Sequence, residues 1–167
     1  MDKNAINSRN LRVRSDRVAI WGATGRYYAL REWCGTLPGV DVYPREIAGH
    51  NATSSQYYRR ITDFDAAICA VSENPCVLYP VAKINEIAAS GALLFVQEMP
   101  DLALHGWNET NCVPFTRHTL PEKLQEYRRN PESYLPIREA GRQLVIGHHT
   151  IERRIDELEG IISILSK

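Results

Sequence analysis

A chain of 167 residues, 44% hydrophobic and 24% charged, is sized for one domain with its own core and no need of disulfide staples. Its 20 Lys and Arg balance 20 Asp and Glu, which removes the general electrostatic pull toward nucleic acid or an anionic membrane. No apolar run approaches the roughly 20 residues of a bilayer span, so no transmembrane segment is expected. The polar start MDKNAINSRNLRVRSDR also lacks the apolar centre of a secretory signal. Cys34, Cys69, Cys76 and Cys112 have neither CxxC pairing nor a His at metal spacing; the expectation is reduced thiols, no metal site and a cytoplasmic protein. Asn51-Ala-Thr and Asn108-Glu-Thr then read as chance matches to glycosylation sequons.

Residues 1–16 read as a flexible tail or linker, because charges and Asn dominate without an apolar period, and 17–167 read as one folded unit. RVAIWG is a short β-branched and aromatic strand ending at Gly22. RYYALREWCGTLPG has a helical distribution closed by Pro38 and Gly39, and VDVY is a second strand. After a polar loop, SSQYYRRITDF reads as a helix with a Ser cap and DAAICAV as a buried strand. The order repeats with PVAKINEIAAS as helix and GALLFV as strand, and CVPF makes a weaker last strand. Strands alternating with helices at this spacing predict an α/β domain, a Rossmann-like and mainly parallel sheet flanked by helices. Three helical segments follow: TLPEKLQEYRRNP, ESYLPIREAGRQLVIGHH and TIERRIDELEGIISILSK. In the last, Ile155, Leu158, Ile162 and Leu165 form one apolar stripe. The core of the same domain is its expected cover; a partner chain, such as a second copy in a homodimer, or a missing domain is the alternative.

Two short patterns suggest a dehydrogenase. WGATGRYY follows a strand and opens a helix, as a dinucleotide loop does, Asp41 falls about 20 residues on, where a ribose-binding acid would stand, and Tyr79 and Lys83 mimic a Tyr-x-x-x-Lys pair. Two features count against it. The third small residue of the fingerprint is replaced by Tyr28, and too little chain separates the turn from the Tyr-Lys pair for the further βα units such an enzyme inserts. An NAD(P)-binding Rossmann protein therefore stays a minor alternative.

KINEIAASGALLF resembles the donor-site helix and strand of group 1 glycosyltransferases of the GT-B fold, in the branch related to the spore-maturation protein CgeB. WGATGRYYALREW resembles that family's strand, Gly-containing turn and Tyr-x-x-Arg segment. Downstream, the Gly-aromatic turn at HGWNET, the strand ending near Phe115, the LPEKL helix, the Ala-Gly helix and the His-Thr followed by Arg resemble its closing pattern. The likeness covers residues 17–158. It implies the C-terminal, donor-binding half of a GT-B enzyme, a domain that takes a nucleotide-diphosphate sugar as substrate, without a metal ion or other cofactor. Glu86 matches the glutamate to which the family gives the ribose hydroxyls.

Sugar transfer leaves negative charge on the departing phosphate, so a site needs cations and donors there. Lys83 is the best cation for it. The turn at Gly22, Thr24, Gly25 and Arg26 can offer backbone N–H groups at a helix N-terminus, Ser90 and Gly91 can let backbone approach a ligand, and Tyr79 can stack or hydrogen-bond near base or sugar. Plainer readings stand beside these. Lys83 and Glu86 at i and i+3 make an ordinary solvated pair, Gly22 and Gly25 a tight turn, His148 and His149 helix-end polar residues, and Arg31 and Arg153 surface or salt-bridge groups. Many group 1 enzymes also carry a glutamate eight positions before the ribose-binding one, where this chain has Leu78. The acceptor site and usual catalytic base of a GT-B enzyme belong to the other half, so a separate acceptor-binding domain or subunit is the expected partner. A non-catalytic interaction module with a degenerate donor site is the alternative from another class.

Overall fold

The computed structural model describes residues 17–22, 28–43, 46–47, 50–51, 61–74 and 78–166. The expected tail at 1–16, the turn residues Thr24, Gly25 and Arg26, and most of the expected helix at 54–64 lie outside the described residues. Five strands build the main sheet: β1 (Val18–Trp21), β2 (Val40–Tyr43), β5 (Ala66–Cys69), β6 (Leu93–Gln97) and β7 (Val113–Phe115). They stand in the order β2-β1-β5-β6-β7, and every pairing is parallel. Between β2 and β5, the two-residue strands β3 (Glu46–Ile47) and β4 (His50–Asn51) form a small antiparallel ladder in what the sequence presents as a polar loop.

Every residue of β1, β5 and β6 is buried. Parallel strands covered on both faces read as unbroken apolar runs, which is why VAIW, AAIC and LLFV stand out in the sequence. Alternate residues feed two cores. Val18, Ile20, Ala66, Ile68, Leu93 and Phe95 pack on one face with Leu30 and Cys34 of α1 (Ala29–Gly35) and Leu120, Leu124 and Tyr127 of α3 (Leu120–Arg129). Ala19, Trp21, Ala67, Cys69, Leu94 and Val96 face the other way, onto Ile84, Ile87 and Ala88 of α2 (Ala82–Ala89) and Val145 and Ile146 of α4 (Leu135–His148). With helices on both faces, the sheet is doubly wound. The strand order reverses between β1 and β5, and in such sheets ligands bind outside the carboxyl ends of the strands at that switch point.

A buried ion pair ties α4 to the opposite, amino end of the sheet. Arg138 Nε donates to the Gly91 carbonyl at 2.9 Å, and Nη2 lies 3.4 Å from Asp65 Oδ1 just ahead of β5. Pro121 and Pro136 sit in the first turns of α3 and α4, where a missing N–H costs nothing. The second C-terminal segment begins as a 3₁₀ turn, Pro131–Tyr134, before α4 proper. α5 (Ile151–Leu165) starts at Thr150, whose side chain accepts from Arg153 N. Here the expectation of burial in the domain core fails, for no residue of α5 is buried and its stripe is at least half exposed.

Candidate functional site

β1 ends at Trp21, and Gly22 turns the chain with φ +127°, a region open to glycine and strained for other residues. Two cations converge there. A Cβ built on Gly22 would lie 2.7 Å from Arg31 Nη1 and 2.9 Å from Lys83 Nζ. An anionic oxygen just beyond that point is within hydrogen-bonding reach of both.

Each cation is held by backbone. Lys83, in the first turn of α2, reaches across and donates from Nζ to the Trp21 carbonyl at 2.8 Å. Arg31, on α1, donates from Nε and Nη2 to the Ala70 carbonyl at 3.0 and 2.8 Å, just past the end of β5. Its guanidinium also lies 4.3 Å from the centre of the Tyr28 ring. The ring that breaks the dehydrogenase fingerprint thus serves as a platform for a cation. Burial pulls the Arg31 pKa below its ordinary value. Arg31 is a correction to the surface or salt-bridge role expected of it, because it is buried and aimed at the strand ends.

The segment that receives Arg31 is itself clamped. Gln97, at the end of β6, accepts from Val71 N at 2.8 Å and donates to the Ser72 carbonyl at 2.6 Å. Beneath the cations, the Cys69 thiol is pushed up to about 11 by burial, against the opposing influence of Lys83 and Arg31, while Glu86 pushes it further up. Glu86 is half-buried, three residues beyond Lys83 on α2.

Tyr79 precedes α2 and is 56% exposed. Ser90 and Gly91 lie at the far end of α2, about 10 Å along the helix from Lys83 at 1.5 Å per residue. There Ser90 Oγ donates to the Ile87 carbonyl, Gly91 takes φ +80°, and its carbonyl receives Arg138. In this structure they end a helix at the amino edge of the sheet. Asp41 is paired with Arg17, Oδ2 to Nε at 2.6 Å. Among the described residues, no group of three or more His, Cys, Asp and Glu gathers closely enough to hold a metal ion, and no helix is long and apolar enough to cross a membrane.

Fold and site together define a doubly wound α/β domain with a cationic pair at its switch point. The chain belongs to the glycosyl transferase-like family, whose model matches residues 4–160. In fold it is similar to the C-terminal domain of the group 1 glycosyl transferase LpcC from Francisella tularensis, with a TM-score of 0.58 at 14% identity over 80% of this chain and 86% of that one. It is similar also to TarM, with a TM-score of 0.57 at 11% identity over 95% of this chain. The chain spans 30% of TarM's length. Among curated proteins none matches it in sequence.

Proposed function

We propose that this domain is the donor-binding half of a glycosyltransferase of the CgeB-like branch, holding a nucleotide-diphosphate sugar at the carboxyl end of the sheet. The observation that carries the reading is the convergence of Arg31 and Lys83 on Gly22 at the switch point. Charge grows on the diphosphate as the sugar departs, and fixed cations that need no reorganisation stabilise it most. Arg31 and Lys83 supply that charge in place of a metal ion. Glu86, one turn beyond Lys83 on α2, accepts hydrogen bonds from the ribose hydroxyls.

In transfer, the anomeric C–O bond to the diphosphate breaks and the acceptor oxygen takes its place. The base that removes the acceptor proton belongs to a second domain or subunit. The buried free thiols of Cys34, Cys69 and Cys112 agree with a cytoplasmic setting.

A panel of UDP, GDP, TDP, CMP, their sugar conjugates and NAD(P), with and without magnesium, tests the reading by thermal shift and calorimetry. A ligand that binds only the folded chain raises its apparent stability. One nucleotide diphosphate should stabilise the protein without magnesium, and both Glu86→Ala and Lys83→Met should weaken it. Loss of a charged hydrogen bond is worth about 1.5–3 kcal/mol, roughly ten- to a hundredfold in affinity. Affinity unchanged in both variants would sink the site assignment. Saturation by NAD(P) alone would revive the dehydrogenase. Silence across the panel would favour the non-catalytic interaction module, for which exposed α5 is the supporting observation.

A further inference from the structure

A 15-residue helix with no buried residue is marginal in water on its own. The apolar residues of α5 are spaced to remedy this. Ile151, Ile155, Leu158, Ile162 and Leu165 follow one another at steps of four, three, four and three, all at least half exposed. That is a heptad seam, with Ile155 and Ile162 at the a positions and Ile151, Leu158 and Leu165 at d. Two of the three d positions are leucine, and β-branched residues at a with leucine at d favour two parallel strands. We propose that α5 pairs with α5 of a second copy of this chain as a parallel, in-register coiled coil.

Charge selects both partner and direction. In this register Arg154 occupies g and Glu159 the following e, the two positions that meet across a parallel dimer. Arg154 therefore faces Glu159 of the partner subunit, and the arrangement repeats on the other side. An antiparallel pair would instead bring e against e, setting Glu152 against Glu159 of the partner subunit, a repulsive contact. Arg154 now bonds Glu157 at 2.7 Å and His149 Nδ1 at 3.0 Å in its own chain. Its five N–H donors allow a bond across the seam to be added or exchanged. Asp156, Glu157 and Arg153 fall at b, c and f, on the water side. Ile161 at g flanks the seam, and Ile164 at c is the one large apolar side chain of the helix that the pairing leaves outside.

The pairing does not depend on the donor site, and its test is separate from nucleotide binding. Analytical ultracentrifugation of the full chain across micromolar concentrations should show a reversible dimer. Ile155→Lys combined with Ile162→Lys should give a monomer with an unchanged domain, as unfolding and circular dichroism would report. Arg154→Glu and Glu159→Arg should each weaken the dimer by about tenfold. An equimolar mixture of those two variants should recover it, because the introduced carboxylate of one chain then faces the introduced guanidinium of the other across the seam. Leu165→Cys should form an intermolecular disulfide under mild oxidation, absent from the unsubstituted chain. A monomer at every concentration, or a dimer that survives the double lysine variant, overturns the proposal and leaves α5 to another domain or protein. A dimer without recovery in the mixture, or without the Leu165→Cys cross-link, overturns the parallel register.

Discussion

Gly22 carries two constraints at once: a left-handed backbone, and a side-chain position already taken by two cationic nitrogens. Gly22→Ala should therefore destabilise the fold by about 1–3 kcal/mol, the usual cost of a non-glycine residue in a sparse backbone region. It should also push Arg31 and Lys83 apart, so that thermal unfolding shows a lower Tm together with a smaller shift from nucleotide. A lower Tm with the nucleotide shift intact would detach the glycine from the site. His149 makes a second prediction at this scale. It caps α4, stacks on Trp107 at 6.2 Å between ring centres, places Nε2 3.0 Å from the His105 carbonyl and faces Arg154 through Nδ1. Burial chiefly holds its pKa below the ordinary value, the His105 carbonyl opposes it, and the Arg154 guanidinium adds to the lowering. Between that lowered value and the unfolded value near 6.5, the unfolded chain binds more protons. The contribution of His149 is thus complete above about pH 6.5 and is lost as pH falls through the folded value. The Tm gap between the native chain and His149→Gln should narrow from pH 7.5 to pH 5, and a constant gap would mean that the ring does not titrate differently on folding. Lys83 and Glu86 stand out in the sequence because a cation and a carboxylate three apart in a short pattern suit the chemistry of a nucleotide sugar. Arg31 does not, since an arginine in a short amphipathic helix looks like surface, and only the fold brings the Ala70 carbonyl beneath it; Tyr28, three residues earlier on the same helical face, is its one local signal.

Elements were legible where their own residues decide them. The three fully buried strands announce themselves as apolar runs, and β7 is found through Val113 and Phe115 despite Pro114, which an edge strand tolerates. α5 is legible as a helix but not in its cover, because periodicity shows that a face is apolar and not what lies against it. Ser90 and Gly91 teach the converse: small residues after a helix suit close approach to a ligand and suit a helix end equally, and here they end α2. α4 gives a test in which propensity and packing point in opposite directions. Alanine in place of a helix-interior glycine gains about 1 kcal/mol in propensity. At Gly141, however, a Cβ would lie 2.5 Å from the Asn111 carbonyl oxygen and 3.5 Å from the Trp107 ring. Backbone cannot swing aside as a side chain can. Gly141→Ala should therefore destabilise the protein, with overpacking of about 1–3 kcal/mol outweighing the propensity gain, whereas Gly160→Ala on open α5, with nothing within 4 Å, should raise helicity without a clash. Denaturant unfolding compares the two, and a stabilised Gly141→Ala would mean that α4 does not press on Asn111.

The order β2-β1-β5-β6-β7 is a property of the whole molecule, and it is what brings Gly22, Arg31 and Lys83 together. Arg31 and Lys83 are 52 positions apart on helices that cover opposite faces of the sheet, and they meet because both reach over its carboxyl edge at the one place where the winding reverses. The sequence supports alternation of strand and helix, hence the class of fold, but alternation alone leaves the strand order open and with it the position of the switch point. The same view separates the molecule into a domain and an appendage. The two cores, the Arg138–Asp65 pair and the clamp from Gln97 all lie within residues 17–150, while α5 adds no buried side chain. A chain ending at Thr150 should consequently keep the stability and the nucleotide affinity of the whole. Removing surface groups alone changes stability by about 0.5 kcal/mol or less, and at this size such a change moves Tm by about 1–2 °C. Thermal unfolding below the concentration at which chains associate is the measurement, paired with a nucleotide titration. A fall of many degrees would show that α5 returns to the domain and shields part of it, which would make the helix a structural element; an unchanged Tm with unchanged affinity would leave association as the business of α5 and donor recognition as that of the sheet's carboxyl edge.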